Sequence, residues 1–254
     1  MMLYDSHAHY DDSQFDADRD EMLINAHKNG VAYINNIGSS IKTSKESVAL
    51  AEKYDFVYAT VGVHPSETNG MTNDDIDTLR TLAKHEKVVA IGEVGLDYHY
   101  DDTNEEEQKM WLPPQLELSK ELSLPVVIHD RESRGECIKI LKDHKISKGV
   151  VHCFSGSAET AKEILRMGLM ISFTGVITFK NARRAIEALK VIPLDRLLIE
   201  TDAPYMAPEP FRGKRNYSGY VFRVAEKIAE IKGVSYEEIA DITTKNAKKF
   251  FNIG

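Results

Sequence analysis

Two cysteines, Cys137 and Cys153, are too few for a disulfide framework, so a reducing compartment is expected, the cytoplasm by default. No apolar run approaches the ~18 residues of a membrane span, and no basic, apolar leader precedes the first strand-like segment. Neither membrane insertion nor export is expected. Linkers rich in Gly, Ser or Pro are missing, as are low-complexity tracts, so 1–254 reads as a single domain. Positive charge is short as well: 32 Lys and Arg stand against 40 Asp and Glu, a formal net charge of −8. Such a field repels nucleic acid, so any phosphate-bearing substrate has to be held locally. The sequence offers two places for this, Arg212, Lys214 and Arg215 in PFRGKRNY and Lys180, Arg183 and Arg184 in FKNARR. The plain alternative for both is a solvated loop or helix start.

Short β-branched runs alternate with longer helical segments along the whole chain. The runs are LYDSHAH, VAYINNIG, FVYATVGVHP, VVAIGEVGLD, PVVIHD, KGVVHCFSG, LMISFTG and RLLIETDAP. Between them, apolar residues at three-to-four spacing predict helices over 18–29, 43–54, 73–85, 105–122, 132–144, 157–167 and 181–190. Strands alternating with helices pair in parallel through right-handed crossovers. Eight such strands make a (β/α)8 TIM barrel, an α/β fold, with 217–232 as the eighth helix and 235–250 as an extra C-terminal one. An open doubly wound sheet is the competing architecture. Pro113 and Pro114 in WLPPQLEL predict a helix start or a kink.

The stretch DSHAH places Asp5, His7 and His9 at alternate positions, on one face of an extended strand. Elsewhere too, polar residues fall at the last positions before a loop: His64, Glu93, His129, His152 and Asp202. In a barrel these ends share the rim that carries active sites. Five of nine histidines thus converge on one mouth, whereas His27, His85, His99 and His144 read as surface residues. Ligand counting gives His7, His9 and Asp202 to one divalent ion and His129 and His152 to a second, with Glu93 as bridge. Two ions about 3.5–4 Å apart ionise water at neutral pH and clamp the entering and leaving oxygens of a displacement, which is hydrolysis. Glu200 and Asp5 share the inward face and are placed to orient a ligand imidazole, a buried ion pair being the alternative. His64 stands apart in the chain from both ligand groups and suits a donor to substrate.

The motifs DSHAH (5–9), GVHP (62–65), IGEVGLDY (91–98), PVVIHDRES (125–133), HCFSG (152–156), ETDAP (200–204) and RGKRN (212–216) resemble, in order and spacing, those of the TatD family of metal-dependent deoxyribonucleases. The resemblance spans nearly the whole chain. It implies a barrel of the amidohydrolase superfamily, a divalent-metal centre and 3′–5′ exonuclease-type cleavage of DNA. Carried over, the metal ligands are His7, His9, Glu93, His129, His152 and Asp202, with Glu93 in place of a carboxylated lysine as bridge. The implied catalytic residues are Glu93, Asp202, His64 and Glu200, and the substrate contacts are His64, Arg212 and Arg215. One departure is local: family members continue RGKRN with Glu-Pro-Ala-Tyr, whereas Tyr217 and Ser218 stand here.

The expected substrate is DNA, single-stranded or with free ends, bound by a monomer that makes no membrane contact. Phe211, Tyr217 and Tyr220 beside Arg212 and Arg215 could stack bases, although Tyr220 suits packing better. Competing functions are an amidohydrolase cleaving an amide, lactone or aminoacyl ester, and a non-catalytic metal-binding protein. Four imidazoles favour Zn or another transition ion on softness, whereas the resemblance implies Mg or Mn for activity.

Overall fold

The computed structural model describes residues 2–100 and 104–254. Eight strands lie in chain order in one sheet: β1 (Leu3–Ala8), β2 (Val31–Ile37), β3 (Val57–Val61), β4 (Val88–Asp97), β5 (Val126–Arg131), β6 (Gly149–Val151), β7 (Met170–Phe173) and β8 (Leu197–Ile199). Every described pairing is parallel. The helices that follow them are α1 (Arg19–Lys28), α2 (Ile41–Lys53), α3 (Asn73–Leu82), α4 (Glu105–Leu122), α5 (Glu136–Asp143), α6 (Ala158–Arg166), α7 (Arg183–Val191) and α8 (Val221–Lys232), with α9 (Tyr236–Phe251) added at the end. This is the (β/α)8 barrel class with an extra C-terminal helix. Among the described residues no helix is long and apolar enough to cross a membrane.

By contact the chain divides into two compact units. The first comprises Met1–Asn36, Cys153–Arg166 and Met170–Gly254. Within it β1 pairs with β2 from Leu3 opposite Val31 to Ala8 opposite Asn36, and β7 pairs with β8 from Ile171 opposite Leu197 to Phe173 opposite Ile199. An isolated parallel bridge joins Ala8 to Ala203, just beyond β8. All six residues of β1 are buried, including Asp5, Ser6 and His7, so this strand carries polar groups that need partners. The extra helix is anchored there, the Phe251 ring stacking on Tyr4 with centroids 6.0 Å apart. Its start is capped by Ser235, whose hydroxyl accepts from the Glu238 N–H at 3.0 Å.

The second unit comprises Ile37–His152 and Met167–Leu169. Its central strand, β4, is buried at all ten positions, as expected of a parallel strand covered on both faces. Two glycines in β4 allow a close approach to β5. A Cβ at Gly95 would stand 1.8 Å from the His129 carbonyl oxygen, and one at Gly92 would stand 2.6 Å from the Val127 Cβ. The bare backbone at Gly95 therefore sets the spacing beside His129.

One expected boundary shifts here and one holds. Helix α4 spans Glu105–Leu122 as the periodicity predicts, capped by Asn104, so Pro113 and Pro114 do not start a helix but lie inside one. Each proline removes a backbone donor from the carbonyl four residues earlier, at Lys109 and Met110; Met110 is exposed, so water can satisfy that oxygen. Helix α5 starts at Glu136, four residues later than the periodicity predicts, because Glu132, Arg134 and Gly135 all adopt positive φ.

Candidate metal centre

The first unit gathers His7, His9 and Asp202. The alternation in β1 puts both imidazoles on one face, with Nε2 atoms 3.1 Å apart. Asp202 Oδ1 lies 3.6 Å from His7 Nε2 and 3.5 Å from His9 Nε2. Ligand atoms about 2.1 Å from a cation stand about 3.0 Å apart around an octahedral ion and about 3.4 Å apart around a tetrahedral one. The donor triangle fits a divalent ion on both spacing and chemistry.

Asp202 has φ +58°, a left-handed conformation uncommon outside glycine, and its N–H donates to the His7 carbonyl at 2.9 Å. Asp5 steadies the same segment. Fully buried, it accepts from the Thr201 N–H at 2.8 Å and the Thr201 hydroxyl at 2.6 Å, and burial pushes its carboxyl up to about 7. It thus fastens β1 to the residue preceding Asp202. Glu200 accepts from the Cys153 N–H at 2.6 Å, from Ser172 at 2.7 Å and from Ser6 at 3.3 Å. That network fixes the backbone one residue after His152.

The second unit gathers His64, Glu93, His129 and His152. Glu93 Oε1 lies 2.6 Å from His152 Nε2 and 2.8 Å from His129 Nδ1, and those two nitrogens are 3.1 Å apart. Three lone-pair atoms at such spacing, on buried Glu93 and His152 and half-buried His129, again suit a divalent ion. The other nitrogen of His129, Nε2, meets Asp97 Oδ2 at 3.0 Å. A carboxylate only accepts, so Asp97 keeps the proton on Nε2 and leaves the Nδ1 lone pair for a cation. Burial pulls the His129 imidazolium down, but its hydrogen bonds to the accepting carboxylates of Asp97 and Glu93 outweigh it and the net shift is upward. Asp97 is shifted the other way: burial raises it, and the bond to His129 brings it below the usual range. Sequence reading missed Asp97, although its even spacing from Glu93 on one strand was a usable signal.

His64 lies beyond β3 and caps a short 3₁₀ turn. Its Nδ1 accepts from the Ser66 N–H at 3.1 Å, so the neutral ring carries its proton on Nε2, which faces Glu93 Oε1 at 3.8 Å. Burial, with repulsion from His129, pulls its imidazolium down to about 3, and the ring is neutral at pH 7.

The other predicted residues sit elsewhere in their units. Arg212 stacks over Phe179 at 4.4 Å, and Arg215 stacks over Phe15 at 4.7 Å while donating to Asp18 at 2.6 Å and to the Gln14 carbonyl. Phe211 and Tyr220 stack on each other at 4.0 Å, with Tyr217 edge-on to Tyr220. In the departing segment, the Ser218 N–H donates to the Tyr10 hydroxyl at 2.9 Å. His27, His85, His99 and His144 each face a carbonyl or carboxylate at the surface, through Val31, Glu52, Glu132 and Glu117.

Comparison with known proteins points the same way. The TatD related DNase family matches residues 4–252. A Bacillus subtilis protein named as the uncharacterized metal-dependent hydrolase YabD is 46% identical over 254 residues, covering 99% of this chain and 100% of that protein. The 3′-5′ ssDNA/RNA exonuclease TatD of Cronobacter sakazakii is 35% identical over 259 residues, covering 98% and 97%. Among solved structures, the TatD homolog YJJV of Escherichia coli K12 superposes with TM-score 0.93 at 33% identity, covering 99% of this chain and 98% of its own.

Proposed function

This chain belongs to the TatD-related DNase family of metal-dependent hydrolases, and from that premise we propose that it is a nuclease removing nucleotides from the 3′ ends of single-stranded DNA. The observation that supports this reading most is the triangle of Glu93, His129 and His152 atoms, 2.6–3.1 Å on a side, with the neutral His64 donor beside it. The proposed cofactor is two divalent ions, one held by His7, His9 and Asp202 and one by His129 and His152 with Glu93. Bound there, such ions would supply charge for the phosphoryl oxygens and an ionised water at neutral pH.

The side chains divide the remaining work. His64, with its proton on Nε2, donates a hydrogen bond to a phosphodiester oxygen and stabilises the charge that develops on it. Asp202, held in place through its own N–H and by the Asp5–Thr201 contacts, takes up the proton released by the attacking water. Glu200 acts through the backbone it fixes at Cys153. Mg or Mn is the proposed activating ion, and a transition ion such as Zn is the competitor that four imidazoles retain.

The test is digestion of a 5′-labelled single-stranded oligonucleotide by protein loaded in turn with Mg, Mn and Zn. A ladder shortening from the 3′ end is expected, with at least one ion supporting it, and Glu93→Gln should reduce it by more than 100-fold with retention of fold. Intact single strands, duplex ends and nicks with every ion would overturn the reading. In that case a panel of amide, lactone and aminoacyl ester substrates identifies the bond.

A further inference from the structure

Beside the second cluster lies a cavity of about 620 Å³, lined by the turn after β3 and the start of α4. This is within the ~300–1,000 Å³ of small-molecule sites. Among the described residues its lining is not suited to phosphate: no Lys, Arg or His contributes, and the carboxylate of Asp97 is engaged with His129 and with the His99 N–H. Apart from Asp97, the described lining is flat surface and neutral hydrogen-bonding groups. Pro65 and Tyr100 present rings, and Asn69 and Asn104 present amides.

The wall is rigid where it meets the metal cluster. Gln108 accepts from the Asp97 N–H at 2.8 Å and donates to the Asp97 carbonyl at 2.9 Å. Ser66 is bonded to His64 Nδ1 at 2.8 Å. Asn104 uses its oxygen to cap α4, accepting from the Glu107 N–H at 3.3 Å, and keeps amide donors. Tyr100 is 57% exposed, and the Arg131 guanidinium stands over its ring at 5.5 Å. An exposed aromatic in the lining of an amide-bearing cavity suits a planar heterocycle with donors and acceptors on its edge.

We propose that this cavity receives the base of the nucleotide adjoining the scissile phosphodiester, stacked on Tyr100 and hydrogen-bonded by Asn69 and Asn104. The inference rests on the nuclease reading for its place in the reaction. The geometry joins the two, because Asp97 lines the cavity and also holds His129, and Pro65 and Ser66 follow directly on His64. A phosphodiester beside His64 thus has its nucleoside next to the cavity.

Two measurements test it. In the first, the full chain without added metal is titrated with deoxyadenosine and thymidine, and with deoxyribose 5-phosphate as the base-free probe, while side-chain amide NMR signals of Asn69 and Asn104 are followed. The nucleosides are expected to shift both signals and the base-free probe neither. Tyr100→Ala should weaken nucleoside binding by about fivefold or more, and Tyr100→Phe should retain it. In the second, metal-loaded protein is given oligonucleotides with an intact or an abasic 3′-terminal residue. The expected preference in kcat/KM for the intact end is about tenfold, falling towards unity in Tyr100→Ala. Shifts by the base-free probe alone, or equal nucleoside binding by folded wild type and Tyr100→Ala, overturn the inference. DNA cleavage without discrimination against the abasic end overturns it while leaving the nuclease reading intact. Nucleoside binding in a protein that cleaves no DNA refutes the nuclease reading and leaves the cavity a nucleoside site.

Discussion

Replacing Asp97 by Asn keeps its shape and reverses one hydrogen bond. In the wild type Oδ1 accepts from the His99 N–H at 3.0 Å and Oδ2 faces His129 Nε2 at 3.0 Å. The Asn oxygen has to stay on the His99 side, because a backbone N–H can only donate, so the amide NH2 faces Nε2. Two donors then oppose each other unless His129 shifts its proton to Nδ1, the atom that faces Glu93 Oε1 at 2.8 Å. Either outcome loses a charge-assisted bond, about 1.5–3 kcal/mol. At about 1.4 kcal/mol per tenfold, that is roughly a 10–150-fold rise in Kd for the ion at this cluster. Calorimetric titration of the chelator-stripped variant with Mn or Zn measures it, with circular dichroism confirming the fold. A Kd within threefold of wild type in folded Asp97→Asn would refute the claim that Asp97 sets the His129 tautomer.

Gly95→Ala should lower thermal stability and metal affinity together, since a Cβ 1.8 Å from the His129 carbonyl has to push β5 away. An overpacking cost of about 1–3 kcal/mol, at about 2–4 °C per kcal/mol, gives a Tm drop of several degrees by calorimetry. Asp18 is held below its ordinary value of 3.8 by the Arg215 hydrogen bond, so the stabilisation is present above the unfolded-state value and lost as pH falls through the lower folded one. Carbon-13 titration should place its midpoint below 3.8 and return it there in Arg215→Ala. Ser235→Ala removes the cap that accepts from Glu238 and should cost about 1 kcal/mol in denaturant unfolding, with the unfolding slope unchanged.

The barrel class was legible because each strand carries a near-continuous β-branched run and each helix an apolar stripe, signals that depend only on local period. The candidate cluster was legible in part for the same reason: His64, His152 and Asp202 follow such runs, whereas Glu93 and His129, expected at strand ends, lie inside β4 and β5 because those strands run on to Asp97 and Arg131. What the one-dimensional pattern did not carry was partnership. Nothing in its period tells that Asp97 serves His129, that Glu200 receives the Cys153 N–H, or that Arg215 turns to Asp18 and Phe15. The late start of α5 escaped for another reason, since positive φ at Glu132 and Arg134 runs against the preference of those residue types and is imposed by their surroundings.

The bare stretch of β4 at Gly95 has a consequence for anyone transplanting this centre. Its strands approach more closely than any side-chain-bearing pair allows, so the spacing of Glu93 and His129 belongs to the seam between them and not to the two ligands. A generic barrel given the same imidazoles and carboxylates, but an alanine at that seam, would own the right donors at the wrong separation. The unit to graft is the strand pair.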